Sequence, residues 1–214
     1  RTIVVLIASF PYAINWTKEN IPAILQMTHN SEELGNGLAD VLFGDVNPGG
    51  RLVHTWPKSM DELPPMMDYN IRHGRTYMYF KGEPLFAFGY GLSYTSFEYS
   101  NLRLSSKQIK RGDPVTVKFE IKNTGKRAGD EVAQLYASYP NSKVERPKLQ
   151  LRGFKRVTLA PGEKKTVEIT VKPDGFSYWN TENHRFEVEL GLIKLMVGSS
   201  STLIRFSDTL TVSE

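Results

Sequence analysis

The residues of this chain that could do chemistry are carboxylates, hydroxyl-binding groups and aromatic rings. Asp61 and Glu62 form an adjacent carboxylate pair. Neighbours in sequence rarely converge on one substrate, so a solvated loop start is the simpler role. Glu32 and Glu33 fall where a helix is predicted to begin. A first-turn carboxylate there satisfies backbone donors and faces the positive end of the helix. Asp68, Tyr69, Arg75 and Tyr77 are of the types that bind a polar ligand through hydrogen bonds and ring faces. The competing reading pairs the Arg with a carboxylate inside a packed aromatic cluster. Trp16, Trp56 and Trp179 could be stacking platforms for a ligand, although packing is the commoner use of Trp. The four histidines, His29, His54, His73 and His184, show no metal-ligand spacing. There is no Cys, which excludes disulfides and thiolate metal sites and leaves the redox compartment open. Gly89-Tyr90-Gly91 lies between aromatics, not between a strand and a helix, and no Gly-x-Ser-x-Gly elbow or phosphate loop occurs. No cofactor and no metal are expected. Asn15-Trp16-Thr17 is a lone sequon, a chance-level match.

The elements that must position these groups centre on the stretch from Asp61 to Thr95. It far exceeds an ordinary connection of about 4–6 residues. It is too rich in Pro, Gly and Tyr for one helix or one central strand. Tyr69, Tyr77, Tyr79, Phe80, Phe86, Phe88, Tyr90 and Tyr94 crowd it. Such rings bury large area on few rotatable bonds, so a rigid junction is predicted and not a flexible linker.

Before the junction the chain reads as α/β. Ile3 to Ala8 is a continuous apolar run, the pattern of a strand covered on both faces in a parallel sheet. Ile21 to Leu25 is a second short strand. Ser31 is placed to cap a helix whose apolar face is Leu34, Leu38, Val41 and Leu42, with Gly44 closing it. Asn47 to Gly50 is a turn and Arg51 to Trp56 is extended. This is the end of an open, mostly parallel sheet, with too few elements to stand alone. From Phe97 onward the period is two. Val115, Val117, Phe119 and Ile121 alternate with polar residues, as do Val167, Ile169 and Val171, and Phe186, Val188 and Leu190. Asn123-Thr124-Gly125 and Ala160 to Glu163 are turns, the second of type II. About seven strands imply an all-β immunoglobulin or fibronectin III-like sandwich. The expected division is residues 1–60, an α/β portion; 61–97, the junction; and 98–214, the sandwich.

The net charge of +4 over 214 residues is uneven. Residues 1–97 hold 7 Lys+Arg against 9 Asp+Glu, and residues 98–214 hold 20 against 14. The basic residues alternate with acidic ones, so a solvated β surface is expected and no nucleic acid partner. No apolar run approaches the roughly 20 residues of a membrane span. The chain opens on Arg1 and enters a strand at once, as a piece of a longer protein would.

Several blocks resemble the C-terminal part of glycoside hydrolase family 3, the β-glucosidase and β-xylosidase family. They are GNGLADVLFGDVNPGGRL at 35–52, GRTYMYF at 74–80, EPLFAFGYGLSYTSFEY at 83–99, NTGKRAGDEVAQLY at 123–136, RPKLQLRGFKRVTLAPGE at 146–163 and VGSSS at 197–201. Val53-His54 departs from a common Leu-Pro, and Asn30 to Glu33 from a common Pro-Gly-Gln-Glu. The resemblance implies a retaining β-glycosidase, with an Asp nucleophile and a Glu acid/base roughly 5–5.5 Å apart. It places the nucleophile on an N-terminal barrel and the acid/base in a loop before the first strand here, so that no catalytic residue is expected in this chain. It aligns Glu33 with the Glu of the Gln-Glu pair. The substrate-binding candidates are therefore Glu33, Arg75 and Tyr77. The implied partners are the missing barrel and α/β regions of the same protein and a β-linked oligosaccharide. The implied location is periplasmic or secreted. The alternative is a non-catalytic carbohydrate-binding or adhesion module.

Overall fold

The computed structural model describes residues 2–214. Strand β1 (Ile3–Ile7) pairs in parallel with β2 (Ala23–Met27), joined through the short helix α1 (Asn15–Asn20). That helix was not expected, because Asn15 to Asn20 carries no apolar stripe. It shifts the second strand from the expected Ile21–Leu25. The N–H of Ile21 closes α1 on Thr17, and Pro22 has no N–H to give a ladder, so pairing starts at Ala23. Helix α2 (Leu34–Phe43) ends on Gly44, at φ 85°. Its N-cap is Glu33 and not Ser31, and no side chain caps it.

Arg51 to Trp56 does not join the β1–β2 pair. It runs beside the junction, with Leu52 N–H bonded to Tyr90 O, Gly89 N–H to Leu52 O and Trp56 bridged to Phe86. The junction is built from turns, two 3₁₀ segments at Met60–Glu62 and Ile71–His73, and the one-turn helix α3 (Thr76–Tyr79). The first 3₁₀ segment carries a Ser59/Glu62 capping box, so Asp61-Glu62 belongs to a short ordered turn, and both residues are exposed to solvent as expected.

The second half is a sandwich of two sheets. One is β3 (Phe97–Leu104), β5 (Val115–Asn123) and β8 (Lys164–Val171), antiparallel, with β5 central. The other runs β4 (Gln108–Lys110), β12 (Ile204–Ser213), β11 (Gly191–Gly198), β6 (Gly129–Ser138), β7 (Gln150–Leu159). Only its β4–β12 edge is parallel. Val115, Val117, Phe119 and Ile121 are fully buried against Leu135, Leu195, Val197 and Leu210, while Thr116, Lys118, Glu120 and Lys122 face outward. The period-two pattern predicts this directly. Phe186 and Leu190 break the expectation. Phe186 sits on the separate hairpin β9 (Ser177–Asn180)–β10 (Arg185–Val188), exposed and edge-on to exposed Trp179. That hairpin and the three-residue β4 raise the strand count above the expected seven.

Candidate functional site

The junction is held to the sandwich by buried polar groups. Arg51 projects from the extended segment into the sandwich, where its Nη2 lies 2.7 Å from Glu131 Oε2. The Tyr99 hydroxyl donates to the other carboxylate oxygen at 2.6 Å. Burial, reinforced by that carboxylate, pushes the Tyr99 hydroxyl far above the ordinary phenol range. The signal for Glu131 was present in the sequence. It stands at an inward position of β6, in register with Ala133, Leu135 and Ala137, and a carboxylate there needs a buried partner. Gln134 is the other buried polar group of β6. Its amide donates to Gly89 O at 3.2 Å and Ser199 O at 2.7 Å, and its oxygen accepts from the Tyr136 hydroxyl. Gly89, at φ 80°, lies so close that a Cβ would collide with the Gln134 amide.

Tyr77 continues this seam. Its ring stacks on Phe88 at 4.2 Å between centroids and meets Tyr136 edge-on at 6.1 Å. Its hydroxyl accepts the backbone N–H of Leu151 on β7 at 3.0 Å. Burial raises its pKa, with the Leu151 N–H opposing. Arg75 turns the other way. Its guanidinium donates to the carbonyls of Asp68 at 2.6 Å and Pro65 at 2.6 Å, with longer bonds to Pro64 and Met66. The expected Arg–carboxylate pair is absent; the carboxylate of Asp68 binds His73 Nδ1 at 2.6 Å instead. That bond, then the Asn70 N–H, holds Asp68 below the usual carboxylate range. Thr76, between Arg75 and Tyr77, sits at φ 60°, a strained conformation for a β-branched residue.

Glu33 lies apart from these two. Its carboxylate takes the Asn36 side-chain amide at 2.6 Å and not the helix backbone donors. It lines an open depression of about 480 Å³ with Met27, Asn30, Ser31, Glu32 and Leu34, at the C-terminal end of β2. In open α/β sheets that end of the strands is where ligands sit. Glu33 shares no hydrogen bond with Arg75 or Tyr77 among the described residues, so the three candidates form no single cluster. Of the tryptophans, Trp56 is buried, whereas Trp16 and Trp179 are exposed.

Residues 1–94 match the glycosyl hydrolase family 3 C-terminal domain, and residues 131–201 the fibronectin type III-like domain. The chain belongs to the C-terminal part of glycoside hydrolase family 3. It is 37% identical to thermostable beta-glucosidase B of Acetivibrio thermocellus over 99% of this chain and 29% of that protein. It is 40% identical to a beta-xylosidase of Formosa agariphila, again over 99% of this chain and 29% of the relative. A periplasmic beta-glucosidase of Salmonella typhimurium is 36% identical over 95% of this chain and 28% of its own length. The crystal structure of a beta-glucosidase from Kluyveromyces marxianus in complex with glucose superposes with a TM-score of 0.90 at 36% identity, covering 100% of this chain and 27% of that one. The family 3 chain described here thus spans less than a third of the length of these relatives. No described helix is long and apolar enough to cross a membrane.

Proposed function

We propose that residues 1–214 are the C-terminal portion of a retaining β-glycosidase that hydrolyses β-glucosides or β-xylosides in oligosaccharides. Its nucleophile and acid/base lie outside this chain. The observation that carries the reading is the likeness to beta-glucosidases and a beta-xylosidase, which runs through both halves in order over nearly the whole chain. The chain's own contribution is binding and placement. Glu33, with its carboxylate at the rim of the depression beyond β2, is the residue assigned to the sugar side. Arg75 and Tyr77 act at one remove, by fixing the junction that flanks the site. The expected boundaries at 60 and 97 fit this assignment, with the sandwich acting as a buttress. A periplasmic or secreted location follows the Salmonella relative.

The test compares this polypeptide with the same protein extended at its N-terminus to the length of its relatives. The extended protein hydrolyses aryl β-glucosides or β-xylosides with retention of the anomeric configuration, read by NMR of the first-formed sugar. Residues 1–214 alone do not. Turnover by 1–214 that disappears in Glu33→Gln overturns the reading and puts the acid/base in this chain.

A further inference from the structure

The loop from Met60 to His73 is fixed in shape yet offers its apolar side chains to solvent. Met66 is 88% exposed, Tyr69 79% and Met67 76%, with Met60 and Ile71 also exposed. A loop of this kind ordinarily owes its exposure to mobility. Here the backbone is tied at many points. Glu62 accepts the N–H groups of Lys58 and Ser59. Asp68 N–H bonds Pro65 O at 2.8 Å, and Asp68 is locked to Asn70 and His73. Arg75 gathers the carbonyls of the loop onto one guanidinium, and Thr76 beside it holds a strained positive φ. Strain retained beside an ordered, exposed apolar loop implies that the shape is needed for recognition. Methionine and tyrosine on a polar rim are the composition of a protein interface core. Asp68, Arg72 and His73 supply that rim.

We propose that Met66, Met67 and Tyr69 form a preformed docking surface for the N-terminal portion of the same protein, and that Arg75 is the residue that holds it in shape. The occupant follows from the length of the relatives and from the apolar surface left uncovered, and the proposal rests on the family reading above. The relatives carry more than two thirds of their length outside the matched region, so a large partner is tethered nearby. The start of the chain leaves further apolar surface uncovered, with Phe10 73% and Trp16 69% exposed. The Asn15 side chain donates to Lys58 O at 2.7 Å, which sets exposed Trp16 on α1 next to the root of the loop.

Methionine oxidation tests this without a variant. In dilute hydrogen peroxide, Met66 and Met67 of 1–214 oxidise at least about tenfold faster than buried Met196, followed by peptide mass spectrometry. In the N-terminally extended protein their rates fall to that of Met196, which stays slow in both and reports that each is folded. Undiminished oxidation of Met66 and Met67 in the extended protein overturns the proposal. Protection of 1–214 that grows with its own concentration assigns the surface to a second copy and also overturns it. Protection of 1–214 by a β-linked oligosaccharide assigns it to sugar, with the same consequence. Hydrolytic activity of the extended protein is measured separately. An active protein with unprotected methionines refutes the docking surface and leaves the glycosidase reading intact. Protection without activity does the reverse.

Discussion

Arg51→Met removes the cation of the buried pair while keeping most of the aliphatic stem. The Arg51 side chain is 9% exposed and that of Glu131 5%, so the remaining carboxylate cannot hydrate without opening the seam between junction and sandwich. Only the Tyr99 hydroxyl would still bond it. Breaking such a pair from one side costs about 3–5 kcal/mol, because an uncompensated charge stays buried. For a chain of this size that lowers Tm by roughly 6–20 °C. Glu131→Gln is the matching change. Its amide oxygen still accepts from Tyr99, but the guanidinium is left without a counter-charge. The double variant has no buried charge at all, and a well-packed neutral replacement of such a pair is often close to neutral. The double variant is therefore expected to lose less than about 2 kcal/mol, well below the sum of the singles. Urea unfolding followed by Tyr and Trp fluorescence gives all four corners of the cycle. If Arg51→Met falls within about 1 kcal/mol of the parent and the two changes add, the pair is hydrated and the seam is not the rigid joint described here.

Two further outcomes are expected. Tyr77→Phe keeps the stack on Phe88 but leaves the Leu151 N–H without its acceptor, costing about 1 kcal/mol, whereas Tyr77→Ala costs about 3 kcal/mol, the low end for a ring that is only partly buried; equal melting of both variants and the parent would show that the ring does not join junction to sandwich. On the β9–β10 hairpin the Arg185 guanidinium, followed by the Asn180 and Asn183 amides, lowers the Glu187 pKa to about 2. A depressed carboxylate stabilises fully above its unfolded value and loses that contribution as pH falls through the folded one. The Trp179 fluorescence is thus expected to be flat above about pH 5 and to change between pH 4 and about 2, a step that Glu187→Gln removes; a step that persists in the variant assigns it to another carboxylate.

Where one face of an element is buried and the other wet, the sequence pattern was sufficient. Val115 to Ile121 and Val167 to Val171 lie buried at alternate positions as the period-two reading requires. Gly44 closes α2 because its left-handed conformation is nearly free for Gly alone. The pattern failed for two physical reasons. The first is local competition. Ser31 has the chemistry of a cap, yet its backbone carbonyl accepts the Leu34 N–H in a turn and the helix starts later, at Glu33. The second is that a period does not say which sheet a strand joins. Arg51 to Trp56 is extended as read, but its partners are Leu85 to Tyr90, set by side-chain shape and by the bonds at Trp56 and Leu52.

The candidate site shows the same limit more sharply. Arg75 and Tyr77 are residue types that bind sugars, and their spacing of two allowed them to share one surface. Thr76 between them holds a positive φ, and the two side chains have different tasks. One ties carbonyls within the loop and the other reaches β7. No propensity signals a β-branched residue in that region, since its cost of roughly 1–3 kcal/mol is tolerated only when surrounding contacts over-determine it. Those contacts come from Asp68, Phe88, Tyr136 and Leu151, up to 74 positions away in the chain. The chemistry of the junction is thus set by groups that face inward, and what it offers to a partner is the shape those groups impose.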